Sequence, residues 1–508
     1  MIVRNVSKTP TRRIAGCIAG GRNAIAVVLL LVLGFATGEP PRAAFAESAP
    51  WEWKLPIGFP IPTVPEDDPR TPDNEANPMS WEKVELGRFL FYDTRLSGCY
   101  YEEDKSGCQE FSCATCHQQE RAFTDGMPNA VGSTGEFHPR GSMSLTNIVY
   151  ASNFTWANPL ILELEQQALG PMFGEFPVEL GLSGKEEQFF ASLRNDPRYR
   201  RLFREAFPER EEAVNLDSIT KALATFERTL ISGNSPYDRY LTGIDENALS
   251  IPAIRGADLF SDINSSSHKL ECAHCHGPNS WLFSVSEKHA KPDGTPPVLF
   301  DVGFFNTGLY NIDGQGGYPP GNRGKYEITG KRLDMGAFKP PTLRNIAVTG
   351  PYMHDGSVET LEEVLDIYFA GGRLIPEGEP NSGDGRINPF KDGLVLFQDG
   401  TEPPRPFDPG PVVTEQDKAD LLAFLESLTD EEFLTNPKLS DPFTLNACAG
   451  DCNLDGLVDV NELVTNVDIS LGSGSLALCW VTDTDGNGAV DVAELVESIN
   501  AALHGCGQ

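Results

Sequence analysis

Apolar residues recur at three- to four-residue steps in separated stretches of this chain, and each stretch predicts a helix with one buried face. The first begins after Ser80, with Trp81, Val84, Phe89 and Leu90 on or near that face. A second spans residues 216–230 through Ile219, Leu223, Phe226 and Leu230. Gly233-Asn234-Ser235-Pro236 ends it and marks a domain boundary. Thr360 and Glu363 form a capping box, which starts a helix carrying Leu361, Val364 and Tyr368 along one side. Thr414 caps the last helix of the main body, with Leu421, Leu422, Leu425 and Leu428 following. Glycine and proline are frequent between 311 and 340, so an irregular loop is expected there. The pattern predicts a mostly α fold.

The ends of the chain depart from this pattern. Residues 1–46 read as a secretory signal. Arg4, Lys8, Arg12, Arg13 and Arg22 give a basic start, Ala24 to Ala36 an apolar run, and Ala44-Phe45-Ala46 a small-x-small cleavage site. The run is short for a membrane span, with an uncleaved anchor as the alternative. Ile14-Ala15-Gly16-Cys17 resembles a lipoprotein box but precedes the apolar run instead of ending it. Residues 47–79 are rich in Pro, Asp and Glu and read as an extended lead-in.

Residues 445–508 contain ten Asp or Glu and no Lys or Arg. Asp451, Asn453, Asp455, Leu457, Asp459 and Glu462 fall at positions 1, 3, 5, 7, 9 and 12 of a calcium loop, with Gly456 at position 6. Asp483, Asp485, Asn487, Ala489, Asp491 and Glu494 repeat the pattern around Gly488. Leu457 and Ala489 would contribute backbone carbonyls. An apolar helix start follows each loop, and the duplicate resembles a dockerin module. The alternative is an acidic solvated tail.

The whole chain has 508 residues and a formal net charge of -33, which argues against nucleic-acid binding. Its hydrophobic content of 40% allows a large core and several domains. Removing the leader takes away six basic groups and one acidic group, so the mature chain is more acidic still.

Four of the 11 cysteines lie in Cys113-Ala114-Thr115-Cys116-His117 and Cys272-Ala273-His274-Cys275-His276. Two cysteines at this spacing can form thioethers with one haem, and the next histidine is placed to ligate its iron. A zinc site built from both Cys-x-x-Cys pairs is the rival reading. The pairs lie in separate halves of the chain, and each carries its histidine at the same offset, which favours haem. Cys99 and Cys108 bracket a polar loop and predict a disulfide in an oxidising compartment. Cys448, Cys452, Cys479 and Cys506 allow three pairings within the tail.

Further strings follow in order: Phe123-Thr124-Asp125-Gly126, Trp156, Gln167-x-x-x-Pro171, Pro177-Val178-Glu179, then Phe338-Lys339-Pro340-Pro341-Thr342-Leu343-Arg344-Asn345 and Thr349-Gly350-Pro351-Tyr352-Met353-His354-Asp355-Gly356. From about residue 80 to 430 the chain resembles the bacterial dihaem cytochrome c peroxidase and MauG superfamily. Gly135 to Arg140 and Thr155 to Pro159 look closest to its MbnH-like branch.

The resemblance implies two cytochrome-c-like haem domains, 80–235 and 236–430, packed together, plus a small all-α calcium-binding module at 445–508. It implies axial ligands His117 and His276, with Tyr368 opposite His276. Tyr368 as a core aromatic, and Met353 as the ligand, are the alternatives. Glu179, Gln167 and Pro171 match the distal pocket of the first haem, and Trp156 matches the tryptophan between the haems. Ser133 stands where many relatives carry a distal histidine, with His138 five residues on. Asn129, Thr349 and Pro351 match ligands of an inter-haem calcium. His354 is expected to be structural or to lie near the inter-haem region.

The implied activity is hydrogen-peroxide-dependent oxidation of a partner protein through high-valent haem iron, in an exported protein. The alternatives are peroxide reduction with electrons from a small cytochrome, and a non-enzymatic electron carrier. A cohesin-like or surface partner is expected for the tail.

Overall fold

The computed structural model describes residues 51–65, 76–261, 272–277, 281–284, 288–289, 298–299, 303–370, 372–373, 413–445 and 447–506. The expected leader at 1–46, with Cys17, lies outside the described residues, as do parts of the expected lead-in.

Helix α1 (Trp81–Tyr92) starts where expected, with the Ser80 side chain accepting from Lys83 N–H. Its burial differs from the one-faced pattern. Leu86, Phe89 and Leu90 are buried, but so are Glu82, Lys83, Glu85 and Arg88. The cause is that α1 is packed on several sides. Helices α2 (Glu186–Asn195) and α3 (Pro197–Ala206) follow, then α4 (Leu216–Glu227). Among them, α3 and α4 pack on α1. Lys83 Nζ donates to Pro78 O at 2.8 Å and Arg88 Nε to Ser440 O at 2.9 Å, so these buried cations have acceptors.

Gly87 is required at the crossing of α1 and α4: a Cβ there would lie 2.0 Å from Ala222 O. The Asn215 side chain caps α4, accepting from Ser218 N–H at 3.0 Å. This helix stops at Glu227, short of the 216–230 expectation. Leu230 has left the helix, and its carbonyl accepts from Asn147 N–H at 2.8 Å.

The C-terminal half repeats this scaffold. Helix α5 (Ile251–Ser261) crosses α7 (Glu415–Glu426) at Gly256, where a Cβ would lie 2.0 Å from Asp420 O. Between them in sequence, α6 (Leu361–Phe369) begins with the expected Thr360–Glu363 capping box. Thr414 caps α7 together with Asp417. Leu428 O then accepts from Asn345 N–H at 3.0 Å, as Leu230 O does from Asn147. Asn147 and Asn345 share left-handed φ values of 57° and 59°. The strings Leu145-Thr146-Asn147 and Leu343-Arg344-Asn345 thus serve the same turn in each half.

Each half has its own aromatic core. Phe89, Phe91, Phe123 and Phe226 belong to the first, and Phe260, Phe283 and Phe424 to the second. A third cluster of Ala157, Leu309, Tyr318, Phe338 and Val358 joins them, with Trp156 packed against it. The 311–340 stretch is mostly irregular as expected, with one helical turn at Tyr326–Thr329. It meets the N-terminal half through Arg140, whose Nη2 donates to Glu327 Oε2 at 2.8 Å. The described strands are an antiparallel pair, Lys288–His289 with Val298–Leu299.

The tail contains α8 (Val460–Ser470) and α9 (Val492–His504), around a core of Ile469, Leu476, Val481, Val490 and Leu495. Asp459 with Glu462, and Asp491 with Glu494, form capping boxes at their starts. Disulfides join Cys99 to Cys108, Cys448 to Cys506 and Cys452 to Cys479. Residues 47–508 form one compact unit. Among the described residues no helix is long and apolar enough to cross a membrane.

Candidate haem sites

Cys113–Cys116 forms a single helical turn, fixed by Ser112 N–H donating to Thr115 Oγ1 at 3.0 Å. His117 follows it. Its Nδ1 lies 2.8 Å from the carbonyl of Phe123, which itself sits at a left-handed φ of 61°. A carbonyl can only accept, so Nδ1 carries the proton and Nε2 keeps a lone pair for a metal. Burial also lowers the His117 pKa, which favours the neutral ligand form.

The second site repeats the device. His276 closes the Cys272–His276 turn, with Nδ1 3.3 Å from Phe283 O and Phe283 at φ 51°. Burial lowers its pKa to about 4. The four motif cysteines stay outside the disulfides and are half-buried. This donor set fits two covalently attached haems. The zinc reading gains nothing: the motifs belong to separate cores. Among the described residues, the one group of three metal-binding side chains lies in the tail.

Opposite the first motif stands Glu179. Burial pushes Cys116 up to about 12, with Asp125 and then Glu179 adding to it. Glu179 acts on Cys113 as well, after burial, Glu227 and Cys116. Glu179 therefore lies close enough to both thiols to disfavour their ionisation. Its side chain keeps 43% of its area exposed, yet desolvation lifts its carboxyl to about 7. Both hold for a group lining a crevice walled by protein.

The backbone fixes it firmly. Ser133 N–H donates to Glu179 O at 2.7 Å, and Leu180 N–H donates to Pro171 O at 2.9 Å. Pro171 is thereby brought beside Glu179, and Gln167 ends the preceding helical turn, half-buried. Ser133 is 2% exposed and part of the wall.

Opposite the second motif stands Tyr368, near the end of α6. It keeps 41% of its surface open, but burial against protein raises its phenol above the ordinary range, and Cys275 and Cys272 raise it further. It thus lies near that motif with part of its surface open. Met353 packs against the cluster between the halves.

Trp156 lies at this same seam. Its Nε1 donates to Gly141 O at 2.9 Å, and its carbonyl accepts from Lys339 N–H at 2.8 Å. His354 is 5% exposed and stacks on Phe338 at 3.6 Å, a packing role as expected. The Thr349–Gly356 segment meets the Asn129 segment, since a Cβ at Gly356 would lie 2.2 Å from Pro128 Cα. Thr349, Pro351 and Asn129 thus come from two adjoining segments.

Comparison with known proteins agrees with this geometry. Residues 81–246 match the family model described as di-haem cytochrome c peroxidase. The methylamine utilization protein MauG of Methylorubrum extorquens is 35% identical over 72% of this chain and 84% of its own length. The chain belongs to the di-haem cytochrome c peroxidase and MauG family. Cytochrome-c peroxidase IdrP1 of a Pseudomonas species is 30% identical over 82% of this chain and 94% of its own length. Among solved structures, a MauG-like protein associated with microbial copper homeostasis shows 44% identity and a TM-score of 0.66, covering 77% of this chain and 99% of that one.

This member of the family is a peroxidase-type oxidoreductase, which sets aside the purely electron-carrying reading. Membership implies two c-type haems, hydrogen peroxide and a redox partner.

Two buried groups of this di-haem peroxidase, Lys339 and Glu227, had no role in the sequence pattern, and His138 stands closer to Glu179 than its place in the chain suggests. His138 Nε2 lies 3.7 Å from Glu179 Oε1 and has no hydrogen-bond partner. Lys339 is 3% exposed, and burial lowers its pKa to about 8. Glu227 is raised to about 8 by burial and stands near Cys113. Lys339 lies within the Phe338–Asn345 string, but its burial has no sequence signal.

Proposed function

We propose that the chain uses hydrogen peroxide to oxidise a partner protein, in the manner of MauG. The observation that supports this reading is Tyr368 near the end of α6, part of its surface open and close enough to Cys272 and Cys275 for them to raise its phenol. A tyrosine there is a hard anionic donor, suited to holding oxidising power, whereas a thioether raises the potential. The haems, when bound, supply the redox chemistry toward peroxide. His117 and His276 would hold them from one side, with Cys113, Cys116, Cys272 and Cys275 as covalent anchors.

Glu179 does the proton work. With a pKa of about 7 it is partly protonated near neutrality, so it can take a proton from the bound peroxide and return it to the leaving oxygen. Gln167 and Pro171 shape the pocket beside it, and Trp156 links the two halves. Asn129, Thr349 and Pro351 would hold calcium at the seam, and the two tail loops would hold calcium as well. The disulfides fit an exported protein in an oxidising compartment. A cohesin-like or surface partner would meet the first loop, whose Asp455, Gly456 and Leu457 are exposed.

Electron intake from a small cytochrome is the second reading, favoured by the peroxidase relatives. Spectroscopy of the purified ferric protein separates the two. The MauG-like reading expects one high-spin haem, one His/Tyr low-spin haem, and reaction with peroxide as isolated. A His/Met second haem, active only after half-reduction, contradicts it.

A further inference from the structure

We propose that the second tail loop, Asp483 to Glu494, is a calcium site whose loading seats the tail on α3 of the peroxidatic half. The proposal rests on the tail-calcium reading above and adds the coupling to it.

The two loops share a sequence pattern but not an environment. Asp483, Asp485 and Glu494 each present an oxygen within 4.8 Å of the others; among the described residues the first loop forms no such group. Asp483 is 2% exposed, and its Oδ1 is buried without a hydrogen-bond partner. Its Oδ2 accepts from Gly488 N–H at 3.1 Å and from Arg198 Nε at 3.3 Å. In the first loop both oxygens of Asp451 are taken, Oδ1 by Asp455 N–H at 3.1 Å and Oδ2 by Gly456 N–H at 2.9 Å. A buried carboxylate oxygen with no partner is costly, and a hard cation among three carboxylates supplies what it lacks.

The same loop touches α3, and the Gly474–Leu476 stretch just before it touches α3 as well. Arg198 Nη2 donates to Asp483 O at 3.2 Å. Arg201 reaches Gly488 O at 3.1 Å and Gly474 O at 3.3 Å. Glu205 Oε2 accepts from Ser475 Oγ at 2.9 Å and Leu476 N–H at 3.0 Å. Gly486 and Gly488 lie so close that a Cβ would come within 2.6 Å of Arg198 Nη2 and of Pro197 O. Asp483 O and Gly488 O therefore reach the two arginines only when the loop holds this shape.

A cation would fix that shape. Without one, the acidic groups of Asp483, Asp485, Asp491 and Glu494 repel each other, and the tail has no cation of its own beyond His504 to offset them. Arg198 compensates one of them from outside. Binding and seating then favour each other, and by linkage each strengthens the other equally.

The test uses the full haem-loaded chain, first stripped with chelator and then titrated with calcium by calorimetry, with amide hydrogen exchange followed over residues 197–206 and 474–488. Calcium is expected to raise protection in both segments of the unaltered protein. Glu494→Gln should abolish one calcium site and that rise, while Glu462→Gln in the first loop should leave the rise in place. Replacing Arg198 and Arg201 by Ala should weaken the same site by about 5- to 20-fold. No calcium uptake sensitive to Glu494→Gln would overturn the site and the coupling together. Uptake with unchanged protection of α3 would overturn the coupling and leave the site standing. The chelated, unaltered chain supplies this comparison even if a variant fails to fold.

Discussion

The two halves share a scaffold and differ in the side chains that stand near their haem motifs. Each has a glycine-seated helix crossing, at Gly87 and Gly256. Each has a histidine whose Nδ1 is held by the carbonyl of a left-handed phenylalanine. Opposite the motifs the likeness ends. The first crevice has a carboxyl tuned to about 7 and the second a phenol raised by burial. One group is suited to moving a proton near neutrality. The other is suited to holding iron in an oxidised state when ionised by coordination. On the proposed reading, the scaffold attaches the haems and one side chain near each motif divides the labour between them.

The largest expected break in this comparison is Glu179→Gln. Removing a general acid–base group should lower kcat/KM for peroxide by about 10²- to 10⁴-fold. Absorption of the second haem should stay as it was. If turnover persists at the original rate, Glu179 is not the proton carrier.

The scaffold itself is tested next. Gly87→Ala and Gly256→Ala each place a methyl group 2.0 Å from a backbone oxygen. Both should destabilise by about 1–3 kcal/mol or more, read as a lower midpoint in chemical or thermal unfolding. Equal losses support equivalent crossings; a loss at only one site would show that the likeness is superficial.

The pH profile is subtler. Glu179 must be ionised to accept the peroxide proton, so the rate should rise with pH and level off above about 7. This inflection should vanish in Glu179→Gln. Smallest is the effect of His138→Ala. A neighbour 3.7 Å away beside a partly exposed carboxyl contributes modestly. The inflection should move by less than about one unit, measurable in the same kinetic assay.

Much of this was legible in the chain because the chemistry is local. The haem motifs, the Thr360 and Thr414 caps and the Cys99–Cys108 pair each depend on residues close in sequence, and the structure contains all of these local arrangements. What was missed depends on distant partners. Helix α1 reads as one-faced, yet its polar side is covered from far along the chain, with Arg88 over the ring of Trp480 at 5.3 Å. Arg198 and Arg201 carry no sequence signal of their role, because nothing near Pro197–Ala206 reveals the acidic loop that they hold. His138 and Glu179 are joined by a hairpin whose pairing, such as Val131 with Phe137, has no strong alternation to announce it. The early end of α4 is likewise set by Asn147, which takes the Leu230 carbonyl.

The division of labour rests above all on Tyr368, and the most direct measurement is the ferric spectrum of Tyr368→Phe compared with the unaltered protein. The account predicts loss of the His/Tyr low-spin signature of the second haem, with the high-spin first haem unchanged. An unaltered second-haem spectrum would contradict it.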